Sequence, residues 1–211
     1  MTATHTNTPG LPIVQDGLLI STNPATGKEV ARVAIAGPDD VAAAVERARA
    51  AAAWWAGLGF AGRRIRLLRF RSILANRMPE IAELLHRECG KPMVDGVMET
   101  TAVLSHITWA AGNARRVLGR RRARASTIAP EFSARMEYQP LGVVGAIGPW
   151  NYPAGAICEL ATYALAAGNA MVYKSSEYTP GVSQWLADRF AEVVPEHPVL
   201  QVVHGLVARQ P

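Results

Sequence analysis

Between Val143 and Val203 three short apolar runs alternate with two segments long enough for helices, and few folds accommodate that order. Val143, Val144, Ala146 and Ile147 lack the alternation of a half-exposed strand, so this run reads as a central strand covered on both faces. It stops at Gly148, Pro149, Trp150 and Asn151. Pro153 suits the first turn of a helix that carries Ile157, Leu160, Ala161 and Leu165 and ends at Gly168 and Asn169. Ala170 to Tyr173 is a second buried run, Thr179 and Pro180 open a second helix to about Val194, and Val199 to Val203 is a third run closed by Gly205. The order β-α-β-α-β predicts an α/β protein with a doubly wound parallel sheet, incomplete at three strands.

The chain before Pro140 has a different character. Residues 1–18, with Thr, Asn, Pro and Gly early on, read as a flexible arm. Residues 19–138 read as a helical segment preceded by a small antiparallel element, and 139–211 as the unit containing the parallel sheet. In the middle segment, Asn23 to Gly27 makes a turn before a strand over Glu29 to Ile35. Pro38, Asp39 and Asp40 start an Ala-rich helix that runs to about Trp55 and is ended by Gly57 and Gly59. Helical spacing recurs through Ile65, Leu68, Ile73 and Leu74, resumes after Pro79 as far as Gly90, and a third long helix covers about Met93 to Leu118. Ala134 to Tyr138 belongs to a β-hairpin suited to oligomerisation.

Several classes of function are excluded by composition. The 211 residues are 49% apolar and 18% charged, which rules out a disordered or coiled-coil chain. Two cysteines, Cys89 and Cys158, make neither a disulfide framework nor a zinc site, and His86, His106, His197 and His204 lack metal-ligand spacing, so no metal is expected. A reducing compartment, the cytoplasm, follows from the cysteine usage and from an N-terminus with no Lys or Arg before Lys28. The uncharged stretch Tyr138 to Cys158 contains Pro149, Asn151 and Pro153, which argues against a membrane span. Six of the 22 basic residues (Arg115, Arg116, Arg120, Arg121, Arg122, Arg124) fall within ten positions, and setting them aside leaves 16 against 17 acids. The net charge of +5 is therefore one local patch on a solvated helix end and loop, with no aromatic inside it to stack on a base, and nucleic acid is not an expected partner.

In open α/β sheets ligands sit beyond the C-terminal strand ends, which places Pro149-Trp150-Asn151 and Lys174-Ser175-Ser176-Glu177 at the candidate site. Lys174 can donate to ribose oxygens. Glu177 can accept from both hydroxyls of an NAD ribose and would repel a 2′-phosphate, so NAD is expected rather than NADP. Asn151 serves equally well, on spacing alone, as a helix cap or as an amide donor to an oxyanion. Gly142, Gly145 and Gly148 are spaced GxxGxxG in or beside the strand and do not announce a pyrophosphate loop.

Leu141-Gly142-Val143-Val144-Gly145-Ala146-Ile147-Gly148-Pro149-Trp150-Asn151-Tyr152-Pro153, followed by Tyr173-Lys174-Ser175-Ser176-Glu177-Tyr178-Thr179-Pro180, resembles the N-terminal half of the NAD(P)-dependent aldehyde dehydrogenases. Asn23 to Gly27, Glu88 to Pro92 and Leu200 to Gly205 match further segments of the family, so the resemblance runs from about Leu19 to Gly205. It implies a Rossmann-like cofactor domain and oxidation of an aldehyde to a carboxylic acid: a cysteine thiolate attacks the aldehyde, hydride passes to NAD, and a glutamate-activated water releases the acid. Asn151 would then stabilise the oxyanion, Gly148, Pro149 and Trp150 would line the cofactor cleft, Lys174 and Glu177 would hold the adenosine ribose, and Ser176 would also bind the cofactor. The family's nucleophile and general base have no counterpart here, because Cys89 is not at the nucleophile's place and Cys158 falls in an apolar helix. The resemblance therefore implies a truncated chain, inactive alone, poorly soluble through bare sheet and hairpin edges, and partnered by a second copy or a complementing C-terminal half. Alternatives are a nucleotide-binding or interaction fragment without catalysis.

Overall fold

The computed structural model describes residues 11–123, 128 and 132–206. Three antiparallel strands open the fold: β1 (Ile13–Gln15), β2 (Leu18–Thr22) and β3 (Glu29–Ala34), in the order β1-β2-β3. Order thus begins earlier than the arm expected over residues 1–18, of which 1–10 lie outside the described residues. The signal is Asp16-Gly17: Gln15 pairs with Leu18, and both turn residues have positive φ (51° and 74°), as a two-residue primed hairpin turn requires.

Four helices follow. In α1 (Pro38–Gly57) the Asp40 carboxylate accepts from the Gly37 N–H at 2.8 Å, so the acids after Pro38 do start the helix. The helical spacing with its interruption near Pro79 becomes α2 (Gly59–Asn76) and α3 (Met78–Cys89), and α4 spans Met93–Leu118. Strands β4 (Arg121–Ala123) and β5 (Ala134–Met136) pair antiparallel, so Arg121 and Arg122 lie in a strand rather than in the expected loop, while Arg124 is outside the described residues.

The remaining elements are β6 (Val143–Ile147), α5 (Pro153–Ala167), β7 (Ala170–Lys174), α6 (Pro180–Ala191) and β8 (Leu200–Val203). The three strands are parallel in the order β6-β7-β8. The strand expected to be central, β6, lies instead at an edge of this sheet and is only half-buried. β7 takes the middle and is buried from Ala170 to Tyr173. An uninterrupted apolar run does not distinguish a strand with two neighbours from one with a single neighbour. The core gathers Trp55, Leu67, Phe70, Leu165, Tyr173 and Phe190 from the helices and β7 into one cluster. No helix among the described residues is long and apolar enough to cross a membrane.

Candidate active site

The two segments singled out at the strand ends meet. Ile147 and Lys174 are register partners, and the Gly148 N–H donates to the Lys174 carbonyl at 3.0 Å, so the tips of β6 and β7 form one rim. Gly148 is required there by contact, not by its dihedrals: a Cβ on it would fall 1.3 Å from the Tyr173 hydroxyl oxygen. Pro149 and Trp150 are exposed along the rim, and the Trp150 ring lies 6.4 Å from that of Tyr178.

On the β7 side, the Lys174 ammonium donates to Glu177 Oε2 at 3.2 Å, and both side chains remain about a fifth exposed (21% and 18%). The pair offers donor and acceptor to a diol while keeping access to water. Ser176 is buried, and its Oγ accepts from the Tyr178 N–H at 3.3 Å, so the hydroxyl is engaged in the turn. Behind this loop the Ser175 hydroxyl and His204 Nδ1 are 2.7 Å apart, and His204 Nε2 lies 2.9 Å from Gln184 Oε1. Burial, with Lys174 adding to it, pushes the His204 imidazole down to about 4, so the ring is neutral at pH 7.

On the β6 side, Asn151 is exposed, and its side-chain amide has no hydrogen-bond partner among the described residues. The cap of α5 is Tyr152, without a side-chain hydrogen bond, so Asn151 does not cap the helix. Its backbone is nevertheless held: the carbonyl of Asn151 accepts from Lys91 Nζ at 3.0 Å, and Lys91 pairs with Glu99. Glu99 Oε1 in turn accepts from the Gly155 N–H at 2.8 Å. A cavity of about 450 Å³ opens beside this turn, lined among others by Asp95, Glu99, Tyr152, Gly155 and Glu159.

Neither cysteine is set up as a thiolate. Cys158 is 2% exposed, and burial drives its thiol far above the ordinary range. Cys89 is half-buried, donates to the Leu85 carbonyl at 2.9 Å, and is likewise raised by burial. Among the described residues no group of three His, Cys, Asp or Glu could hold a metal ion. Residue types and local spacing did not single out Lys91 or Glu99, because their partners lie about 60 positions away along the chain.

A family model described as "Aldehyde dehydrogenase family" matches residues 15–209. The chain is 37% identical over 188 residues to N-succinylglutamate 5-semialdehyde dehydrogenase 1 of Caulobacter vibrioides, covering 89% of this chain and 39% of that protein. It thus spans about two-fifths of the length of the relatives it matches. Among solved structures it is similar to an NADP-dependent enzyme of E. coli, with a TM-score of 0.86 at 27% identity, covering 96% of this chain and 43% of that one. It is also similar to PnpE from Pseudomonas sp. WBC-3 in complex with nicotinamide adenine dinucleotide (TM-score 0.80, 28% identity, 90% and 38% covered). Over the part they share with this chain, both match the α/β arrangement described above.

Proposed function

Because this chain belongs to the aldehyde dehydrogenase family, we propose that it contributes the oxyanion-binding amide and the ribose-binding loop to an NAD-dependent oxidation of an aldehyde. The observation that carries this reading is the junction of the two strand tips through Gly148 N–H and Lys174 O, which sets Asn151 and the Lys174–Glu177 pair along one rim. The residues fit NAD: Glu177 accepts from ribose hydroxyls and disfavours a 2′-phosphate, Lys174 donates to the sugar, and Gly148, Pro149 and Trp150 line the approach. When bound, NAD supplies the acceptor for the hydride.

Asn151 acts on the aldehyde. As a nucleophile adds to the carbonyl carbon, negative charge gathers on the oxygen, and a neutral amide N–H already aimed at that position stabilises it without a reorganisation cost. An unengaged side chain on a fixed backbone is the arrangement this role needs. The attacking thiolate comes from outside these 211 residues, since Cys89 and Cys158 are both held as thiols. A complementing polypeptide or segment corresponding to the C-terminal part of a relative would supply it, along with the general base.

The test is co-expression with the C-terminal part of a relative, followed by NADH absorbance with a short aldehyde. NADH formation that falls about a hundredfold in Asn151→Ala supports the reading. A soluble complex that forms no NADH overturns it, and NADH production by the purified chain alone overturns the external nucleophile. Calorimetry with NAD on the chain and on Glu177→Ala checks the cofactor half: binding that weakens in the variant, and is weaker for NADP than for NAD, is the expected result.

A further inference from the structure

We propose that the Lys91–Glu99 ion pair is the positioning device for Asn151: it fixes the backbone of the turn from residue 151 to residue 155 so that the asparagine amide is presented without being used. This rests on the reading of Asn151 as the oxyanion donor and adds to it the residues that aim it.

Lys91 sits in the short link between α3 and α4, and Glu99 is in the second turn of α4. Their side chains are 11% and 2% exposed, so the pair is taken out of water. A desolvated ion pair contributes little net stability by itself, and geometry is what it can enforce. Here it engages both ends of one five-residue turn. Lys91 Nζ donates to the Asn151 carbonyl at 3.0 Å and stands 4.0 Å above the Tyr152 ring, while Glu99 Oε1 accepts the Gly155 N–H at 2.8 Å. The carboxylate also lies at the N-terminus of α5, where the helix dipole favours it. Carbonyl, ring and N–H are thus all referenced to two side chains from the helical segment. The Asn151 amide, on the first of these fixed points, has no hydrogen-bond partner among the described residues.

The test uses the full chain, isotopically labelled for nuclear magnetic resonance, and the co-expressed complex. In Lys91→Met the backbone amides of residues 151–155 and the side-chain NH₂ pair of Asn151 shift and broaden, while amides of β8 stay in place. Lys91→Arg, which restores a donor and a charge, recovers part of the wild-type pattern. Should Lys91→Met fail to fold, Glu99→Gln keeps the acceptor for Gly155 but removes the charge facing Lys91, and the Asn151 amides are still expected to move. In the complex, Lys91→Met lowers kcat about tenfold with KM changed less than about twofold, and this loss vanishes in an Asn151→Ala background because the two residues act through one another. Unmoved amides in both variants, or an undiminished loss in the Asn151→Ala background, overturn the proposal. Asn151→Ala with unchanged kcat instead overturns the oxyanion reading, and the two failures are distinguishable.

Discussion

Gly148 shows how narrowly a single position can be set. With a Tyr173 ring carbon already 2.1 Å from where a Cβ would stand, Gly148→Ala forces the ring or the rim to move. It should cost about 3 kcal/mol or more and abolish NAD binding, as read by urea unfolding and calorimetry. The Tyr173 hydroxyl itself is buried without a hydrogen-bond partner among the described residues. Removing an unsatisfied group relieves its desolvation, so Tyr173→Phe is expected to raise stability by about 1 kcal/mol in the same unfolding assay. His204 provides the pH dependence. Its imidazole titrates near 4 when folded and near 6.5 when unfolded, so between these values the unfolded chain binds more protons. Its contribution, at most about 3 kcal/mol, is present above pH 6.5 and is lost as the pH falls toward 4. Urea midpoints measured from pH 4.5 to 7 should decline with acid in the wild type and flatten in His204→Gln. At this scale the sequence is informative where chemistry is local: Asn151, Lys174 and Glu177 stand out because polar groups at strand ends face ligands. Residue type and local spacing give Lys91, Glu99 and His204 no role, since their partners at Asn151, Gly155 and Ser175 lie 29 to 60 positions away.

At the scale of elements, each crossover helix starts with proline and has no side-chain cap of its own, and each is completed by a buried glutamate from the helical segment. Glu99 serves Gly155 at the start of α5, and Glu88 accepts from Gly181 and Val182 N–H, both at 2.8 Å, at the start of α6 while also taking the Ser21 hydroxyl. Burial raises the Glu88 carboxyl against the pull of these donors. The helical segment therefore does more than pack on the sheet: it satisfies first-turn amides, left without intrahelical partners, of the two helices that begin at the site. The C-terminal end of α5 is treated likewise. Arg63, 5% exposed, donates from Nε to the Ala166 carbonyl at 3.2 Å and from Nη1 to Ala56 at 3.0 Å, and Trp55 Nε1 donates to Leu165 at 2.8 Å. Arg63→Met removes the side-chain donor from both carbonyls and is expected to cost about 2 kcal/mol. Arg63→Lys should recover little, because an ammonium cannot span two acceptors as the guanidinium fork does. Urea unfolding of the two variants side by side checks this. Helix ends were legible because Pro, Gly and acidic residues act within a turn of themselves. The edge position of β6 and the remote caps were not, because they are properties of neighbours.

For the whole molecule, the question is what surface these elements leave uncovered. Val94, Met98 and Trp109, 65%, 66% and 50% exposed, lie along one side of α4, and the Tyr163 ring of α5 is 6.1 Å from that of Trp109. At the two ends of β6, Leu141 and Ile147 are 90% and 76% exposed. Among the described residues, β6 pairs in this sheet with β7 alone. The apolar stripe on α4 and the edge of β6 are two surfaces of the kind that association covers. Covering these residues with a second copy or a complementing polypeptide would remove that surface from solvent, with about 25 cal/mol gained per Å². The chain alone should therefore scatter light as species heavier than its 22.6 kDa, with the mean mass rising as concentration rises. The double variant Met98→Glu/Trp109→Glu places charge on the stripe without touching the core, and should lower the scattering mass toward that of the monomer while leaving the far-ultraviolet circular dichroism unchanged. If the stripe is the cause, the same variant also reduces recovery of the co-expressed complex. A wild-type chain that stays monomeric at high concentration and melts cooperatively shows instead that these faces tolerate water as they stand.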